Sequence, residues 1–140
     1  MAIKQLNPYL NFNGTAAKAI KLYETALGAK VENVMPWTDA PGTPPSAETK
    51  DRVMHAHLRI GDAALMLSDS MPGQPVTFGT NAHVMLDFDD PNDMARKFEA
   101  LSTGGKITMP LQDTFWGAKF GMLTDAQGVS WMFNCATRQS

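Results

Sequence analysis

The chain has 140 residues, 44% of them apolar and 19% charged, an ordinary globular composition with room for one domain but not for two of full size. Twelve Lys and Arg against fourteen Asp and Glu leave a formal net charge of −2, so no general attraction to nucleic acid or to an anionic membrane is expected. The apolar runs fall far short of the roughly 20 residues that cross a bilayer, Met1-Ala2-Ile3-Lys4 opens into strand-like sequence rather than a signal-peptide core, and the single cysteine, Cys135, offers no internal disulfide, so a cytoplasmic protein is expected.

Leu6 to Phe12 alternates as a short strand, and Asn13-Gly14-Thr15 supplies turn and cap residues ahead of a helical run from Ala16 to Ala26 that Gly28 ends. Ala16, Ala19, Ile20, Tyr23 and Leu27 recur at spacings of three and four, which gives that helix one face for burial. A strand over Lys30 to Met35 follows. Pro36 to Lys50, with four prolines, then reads as a long loop of the kind that often serves as a lid. Val53 to Ile60 and Ala63 to Asp69 are the next strands, joined through Gly61-Asp62 as a tight hairpin.

After a loop from Ser70 to Asn81 the pattern returns. A strand from Ala82 to Phe88 runs through Asp89-Asp90-Pro91 into a helix over Asn92 to Leu101, which Gly104-Gly105 ends. Gly105 to Leu111, Lys119 to Leu123 and Gly128 to Cys135 complete a second set of three strands, the last hairpin turning at Asp125-Ala126-Gln127-Gly128. Tyr23-Glu24 before Gly28-Ala29-Lys30-Val31 is echoed by Phe98-Glu99 before Gly104-Gly105-Lys106-Ile107, at offsets of 75 and 76 residues. A module of half this length cannot bury both faces of its own sheet. The expectation is an α+β fold: a single domain over residues 1–140 made of two βαβββ modules, about 5–70 and 81–136.

Alternation sorts the strand side chains onto two faces. Leu6, Pro8, Leu10 and Phe12 oppose Asn7, Tyr9 and Asn11; Met54, Ala56, Leu58 and Ile60 oppose Val53, His55, His57 and Arg59. Val84, Leu86 and Phe88 oppose His83, Met85 and Asp87, while Trp131, Phe133 and Cys135 oppose Ser130, Met132 and Asn134. The aliphatic faces suit helix packing. The other faces mix Asn, His, Arg, Met and Ser, which fits a cup for a ligand, an exposed antiparallel face or a subunit interface. Met66, Met85 and Met132 fit either an adaptable apolar pocket or the commoner role of gap filler. Histidine beside a cup carries protons or binds metal, and a lone one is more often structural, so the co-facing group His55, His57, Arg59 and His83 is the one that points to a site.

The duplicated strand-helix-three-strand order resembles the vicinal oxygen chelate superfamily of glyoxalase, bleomycin-resistance and extradiol dioxygenase proteins. Its PhnB-like branch is the closer resemblance. That rests on Asn7-Pro8-Tyr9-Leu10-Asn11-Phe12-Asn13-Gly14, on His55-Ala56-His57-Leu58-Arg59-Ile60-Gly61, on Leu65-Met66-Leu67-Ser68-Asp69, and on Gln112-Asp113-Thr114-Phe115-Trp116 with the trailing Gly128-Val129-Ser130-Trp131-Met132-Phe133-Asn134. The resemblance implies paired modules whose curved mixed sheet surrounds a cleft, with helices on the outer face, usually in a homodimer. The superfamily's metalloenzymes hold a divalent cation with His, Gln or Glu on the first and last strands of each module. Those slots correspond here to Asn7, Met66, His83 and Met132, an amide and two thioethers beside one imidazole, so the usual metal site is expected to be absent.

Members of this branch often carry a demethylubiquinone methyltransferase label. The residues give that label no support: Gly104-Gly105 ends a helix, Gly117 and Gly121 flank a strand, and no Gly-rich strand-to-helix turn, phosphate loop or nucleophile elbow occurs. Asp69 and Asp125 could act as acids or bases, yet each adjoins a strand end or turn, where bonding to local backbone amides is the commoner role. Gln112 beside Phe115 and Trp116 combines a polar group with flat apolar area suited to a cleft rim, or to dimer packing. Trp37 either folds over the same cleft or anchors the proline-rich loop. The leading expectation is a binding protein for a small, partly apolar molecule, with no cofactor and no metal, whose ligand meets His55, His57, Arg59, His83, Gln112 and Trp116. The rival is a metal-dependent lyase, isomerase or dioxygenase whose rearranged site includes His83, and a third reading is a structural module with the methionine-rich face as an interface.

Overall fold

The computed structural model describes residues 2–42, 46 and 49–137, so part of the proline-rich loop lies outside the described residues. The chain forms two units, Met1–Thr77 and Phe78–Ser140. Among the described residues, no helix is long and apolar enough to cross a membrane.

The first unit runs β1 (Tyr9–Phe12), α1 (Ala16–Leu27), β2 (Lys30–Pro36), β3 (Val53–Ile60) and β4 (Ala63–Asp69). Its open four-stranded sheet has the order β1-β4-β3-β2. The β2-β3-β4 meander is antiparallel throughout, and β4 returns to lie parallel to β1. The strand expected from Leu6 enters the ladder only at Tyr9, and Leu6, placed by alternation on the helix-packing face, is 92% exposed. Pro8 has no N–H to give a ladder, so pairing ahead of β1 is reduced to the Pro8 carbonyl accepting from Met66 N.

The start of α1 is capped differently from the sequence expectation. Thr15 makes no side-chain cap bond. Asp69, at the end of β4, accepts from the N–H groups of Gly14 at 2.8 Å and Ala16 at 2.9 Å. At the other end Gly28 takes the left-handed conformation at φ +71°, and the N–H groups of Gly28 and Ala29 bond back to Glu24 and Tyr23. The buried face of α1, with Ala16, Ala19, Ile20 and Tyr23, packs beside Phe12, Ala56, Leu58 and Leu67.

The second unit repeats the order: β5 (Val84–Phe88), α2 (Pro91–Ser102), β6 (Lys106–Asp113), β7 (Ala118–Thr124) and β8 (Ser130–Ala136), in an open sheet β5-β8-β7-β6. The parallel pair is β5 with β8, the counterpart of β1 with β4. Asp90 caps α2 by accepting from Asn92 N at 2.9 Å, with Pro91 at the first helical position. The core gathers Met94, Phe98, Leu101, Leu123, Trp131 and Phe133, with the Phe98 ring edge-on to Phe133 at 5.1 Å and Phe88 stacked on it at 5.4 Å. Gly105 follows α2 where the backbone of Thr124 and Asp125 passes so closely that a Cβ would come within 2.9 Å of Asp125 Cα. The α+β class and the doubled strand-helix-three-strand order are as the sequence implied.

Candidate functional site

In each unit one sheet face packs against its helix, and the expected polar residues stand on the other. Register shows how they line up. In the first unit Tyr9 faces Met66, Met66 faces His57 and His57 faces Asn33, so one row crosses all four strands. His55 lies two residues along β3, opposite Met35.

Tyr9 Oη and His55 Nδ1 are 3.1 Å apart, with their rings 5.8 Å apart and tilted. His57 Nε2, by contrast, is shielded from solvent and has no hydrogen-bond partner among the described residues. Leaving a polar group in that state costs about 1 to 3 kcal/mol, which is why buried donors and acceptors are nearly always paired. Ser68 donates to Asn11 Oδ1 at 3.2 Å on the same face.

Arg59 shares the strand face of His55 and His57 and pairs with a carboxylate through one nitrogen. Its Nε donates to Glu32 Oε1 at 2.8 Å in a half-exposed pair, and that hydrogen bond, reinforced by the Arg59 charge, holds the Glu32 carboxyl below its usual value. Trp37 anchors the proline-rich loop: its Nε1 donates to the Asp69 carbonyl at 2.8 Å and its backbone N–H to Arg52 O at 3.0 Å. Arg52 Nη1 in turn donates to Ser70 O at 2.7 Å, so both described ends of the loop are tied to the end of β4.

In the second unit His83 is exposed just ahead of β5, two residues from Met85. Gln112 faces Phe120 across β6 and β7, and Trp116 lies 6.2 Å from Phe120 and 5.0 Å from Phe115, ring centre to ring centre. Phe115 and Trp116 are 93% and 58% exposed. A polar amide is therefore set beside a projecting aromatic cluster, the combination expected of a binding rim.

Asp69 and Asp125 are structural. Asp69 is buried and accepts three backbone N–H groups, those of Gly14, Ala16 and Val53. Asp125 is buried and accepts from Gln127 N, Val129 N and Trp131 Nε1. Carboxylates whose lone pairs are filled this way hold turns and strand ends together rather than carry protons.

Sequence reasoning placed the polar faces by alternation but did not single out two features. One is the orphaned ring nitrogen of His57, which no pattern of residues announces. The other is the alignment of methionines across the second sheet, where Met85 faces Met132, Met132 faces Met122 and Met122 faces Met109. Alternation hinted at the second, since Met85 and Met132 fall on the same type of face, but the pairing of β5 with β8 was needed to align them.

The family model for the Glyoxalase/Bleomycin resistance protein/Dioxygenase superfamily matches residues 5–133. Protein YjdN of Escherichia coli is 33% identical over 96% of this chain and 97% of its own length. The crystal structure of PA1353 from Pseudomonas aeruginosa superposes with a TM-score of 0.85 at 41% identity, covering 96% of this chain and 98% of that one. The PhnB protein from Bacillus cereus superposes with a TM-score of 0.78 at 25% identity, covering 95% of this chain and 100% of that one.

The superfamily's divalent metal is tested by the donors present. The positions that the resemblance assigns to the metal hold Asn7, Met66, His83 and Met132, and no group of three or more His, Cys, Asp or Glu side chains able to hold a metal ion occurs among the described residues. Two neutral thioethers and an amide provide neither the charge nor the hardness that Zn(II), Ni(II), Mn(II) or Fe(II) requires, so such an ion does not fit this set.

Proposed function

The chain belongs to the Glyoxalase/Bleomycin resistance protein/Dioxygenase superfamily, and from that premise we propose that it is a PhnB-like binding protein for a small, partly apolar molecule, acting without the superfamily's usual divalent metal. The observation that carries the reading is His57 Nε2, a shielded ring nitrogen without a hydrogen-bond partner among the described residues, in a row across the sheet otherwise made of Tyr9, Met66 and Asn33. A ligand bearing one hydrogen-bonding group satisfies that nitrogen, while the thioether and ring surfaces around it take the ligand's apolar body.

In this reading the first unit offers His55, His57 and Arg59 to a ligand, and the second offers His83, Gln112 and Trp116. His55 is oriented by Tyr9, and Gln112 is set beside the Trp116–Phe120 pair. Arg59, whose Nε donates to Glu32, is the charged residue of the first unit's set. The protein acts as a cytoplasmic homodimer in this proposal, which light scattering on a sizing column tests.

Thermal-shift screening of the intact protein against varied small metabolites tests the binding. A ligand at a hundred times its Kd adds about 2.7 kcal/mol of stability. His57→Phe, which removes the nitrogen and keeps a ring, is expected to weaken a hit at least tenfold while leaving the unliganded melting temperature unchanged or higher. A hit of equal affinity in that variant, or no stabilisation across a broad library, overturns the reading.

A further inference from the structure

The chain has ten methionines, and four of them fall in one place. Met85, Met132 and Met122 stand at facing positions of β5, β8 and β7 in one row, and Met109 pairs with Met122 from β6 between two register shifts, so each strand of the second sheet places a methionine at this level. The row lies on the face away from α2: Trp131 and Phe133 flank Met132 and are wholly buried, and Gly121, next to Met122, faces Phe98 of the helix. Met85 is 53% exposed and Met109, Met122 and Met132 are half-buried. The equivalent row of the first unit is Tyr9, Met66, His57 and Asn33, with a single thioether. Repeated packing needs of the fold therefore do not account for a methionine on every strand.

We propose that this row is a binding site for a soft monovalent cation, Cu(I) or Ag(I). Thioether sulfur is a neutral, polarisable donor that selects such ions over hard divalent ones. The spacing is suitable: sulfur sits about 2.3 Å from a bound first-row ion, so two sulfurs on opposite sides of it are about 4.6 Å apart, close to the ~4.8 Å between neighbouring strands. Met132 lies between Met85 and Met122, and leaning of those two flexible side chains toward it supplies a third donor.

No carboxylate competes within the row. Asp87, one step along β5, is engaged by Asn134 Nδ2 at 2.9 Å. His83, exposed and two residues before Met85, lies ahead of β5 and outside the row. Met132, one of the two thioethers that disqualify the superfamily's divalent site, is in this way a donor of a different one.

The test is an anaerobic titration of the full chain with silver nitrate, observed through 13C-labelled methionine methyl groups. One equivalent is expected to shift the methyls of Met85, Met122 and Met132, leaving Met54 in the first unit and Met94 in the α2 core unmoved, while Zn(II) shifts none of them. Met122→Leu with Met132→Leu, a pair that conserves side-chain volume, is expected to lower silver affinity at least tenfold. Cys135→Ala, which removes the only thiol, leaves it unchanged. Cu(I) delivered against a competing chelator follows the same order. The proposal is overturned if equimolar silver shifts no methionine of the row, if the double variant binds as tightly as the parent, or if Cys135→Ala abolishes binding. Those results say nothing for or against an organic ligand at His57, whose test uses different variants.

Discussion

Asp69→Asn is the sharpest test of how the first unit is held together. The carboxylate closes three elements at once: Oδ1 accepts from Gly14 N at 2.8 Å and Ala16 N at 2.9 Å at the entry to α1, and Oδ2 accepts from Val53 N at 2.9 Å at the start of β3. The side chain is only 1% exposed, so water cannot replace a lost partner. Asparagine can keep one oxygen toward Gly14 and Ala16, but its NH2 group then points at the Val53 N–H, donor against donor. A hydrogen bond to a charged acceptor contributes about 1.5 to 3 kcal/mol and an orphaned buried donor costs about 1 to 3. With two orphaned donors facing each other and the remaining bonds weakened by loss of charge, a destabilisation of about 3 kcal/mol is expected. Urea unfolding followed by circular dichroism reads this as a fall in midpoint at unchanged slope. A loss below about 1 kcal/mol, the range of surface changes, would refute the argument that this carboxylate organises the helix entry.

Other outcomes follow from the same reasoning. Gly105→Ala forces a Cβ against the Thr124–Asp125 backbone and is expected to cost about 3 kcal/mol or more, whereas Gly28→Ala, in open space at φ +71°, costs about 1 to 2 kcal/mol from the left-handed backbone alone; parallel urea melts compare them. Trp131→Phe removes the indole donor to Asp125 Oδ2 at 2.9 Å and is expected to destabilise by about 2 kcal/mol in the same assay, combining a lost charged hydrogen bond with a small cavity. The Asp93 carboxyl is held below its usual value by the hydrogen bond from Lys97, with Arg96 assisting. Because the folded value is lowered, the stability this pair gives is complete above the unfolded value near 3.9 and is lost as pH falls through the folded one. NMR titration of the Asp93 carboxyl should show its midpoint rise in Lys97→Met; an unmoved midpoint removes Lys97 as the cause.

The legible parts of the fold were those fixed by local rules. The stop at Gly28, the Asp90-Pro91 start of α2 and the Gly61-Asp62 hairpin are each written in a few adjacent residues whose backbone preferences leave little choice. The register of Tyr9 on Met66 and Met85 on Met132 was not legible, because parallel pairing joins strands more than 45 residues apart and no local turn sets it. Arg59 shows the same limit: alternation put it on the face of His55 and His57, but its long side chain reached Glu32 on the neighbouring strand. The cap of α1 moved from the adjacent Thr15 to Asp69, more than fifty residues on in the chain but paired with Phe12 across the sheet, for a related reason, since a buried carboxylate with three donors outcompetes a hydroxyl with one.

By itself the sequence determined the order of elements and the doubled strand-helix-three-strand pattern, since both depend on residue type and spacing along the chain. Only the tertiary structure decided that His57 keeps a shielded nitrogen without a partner and that four methionines align across four strands. Both are properties of neighbours brought together by strand pairing, and pairing is settled by the packing of whole sheet faces against a helix rather than by any stretch of residues read in order.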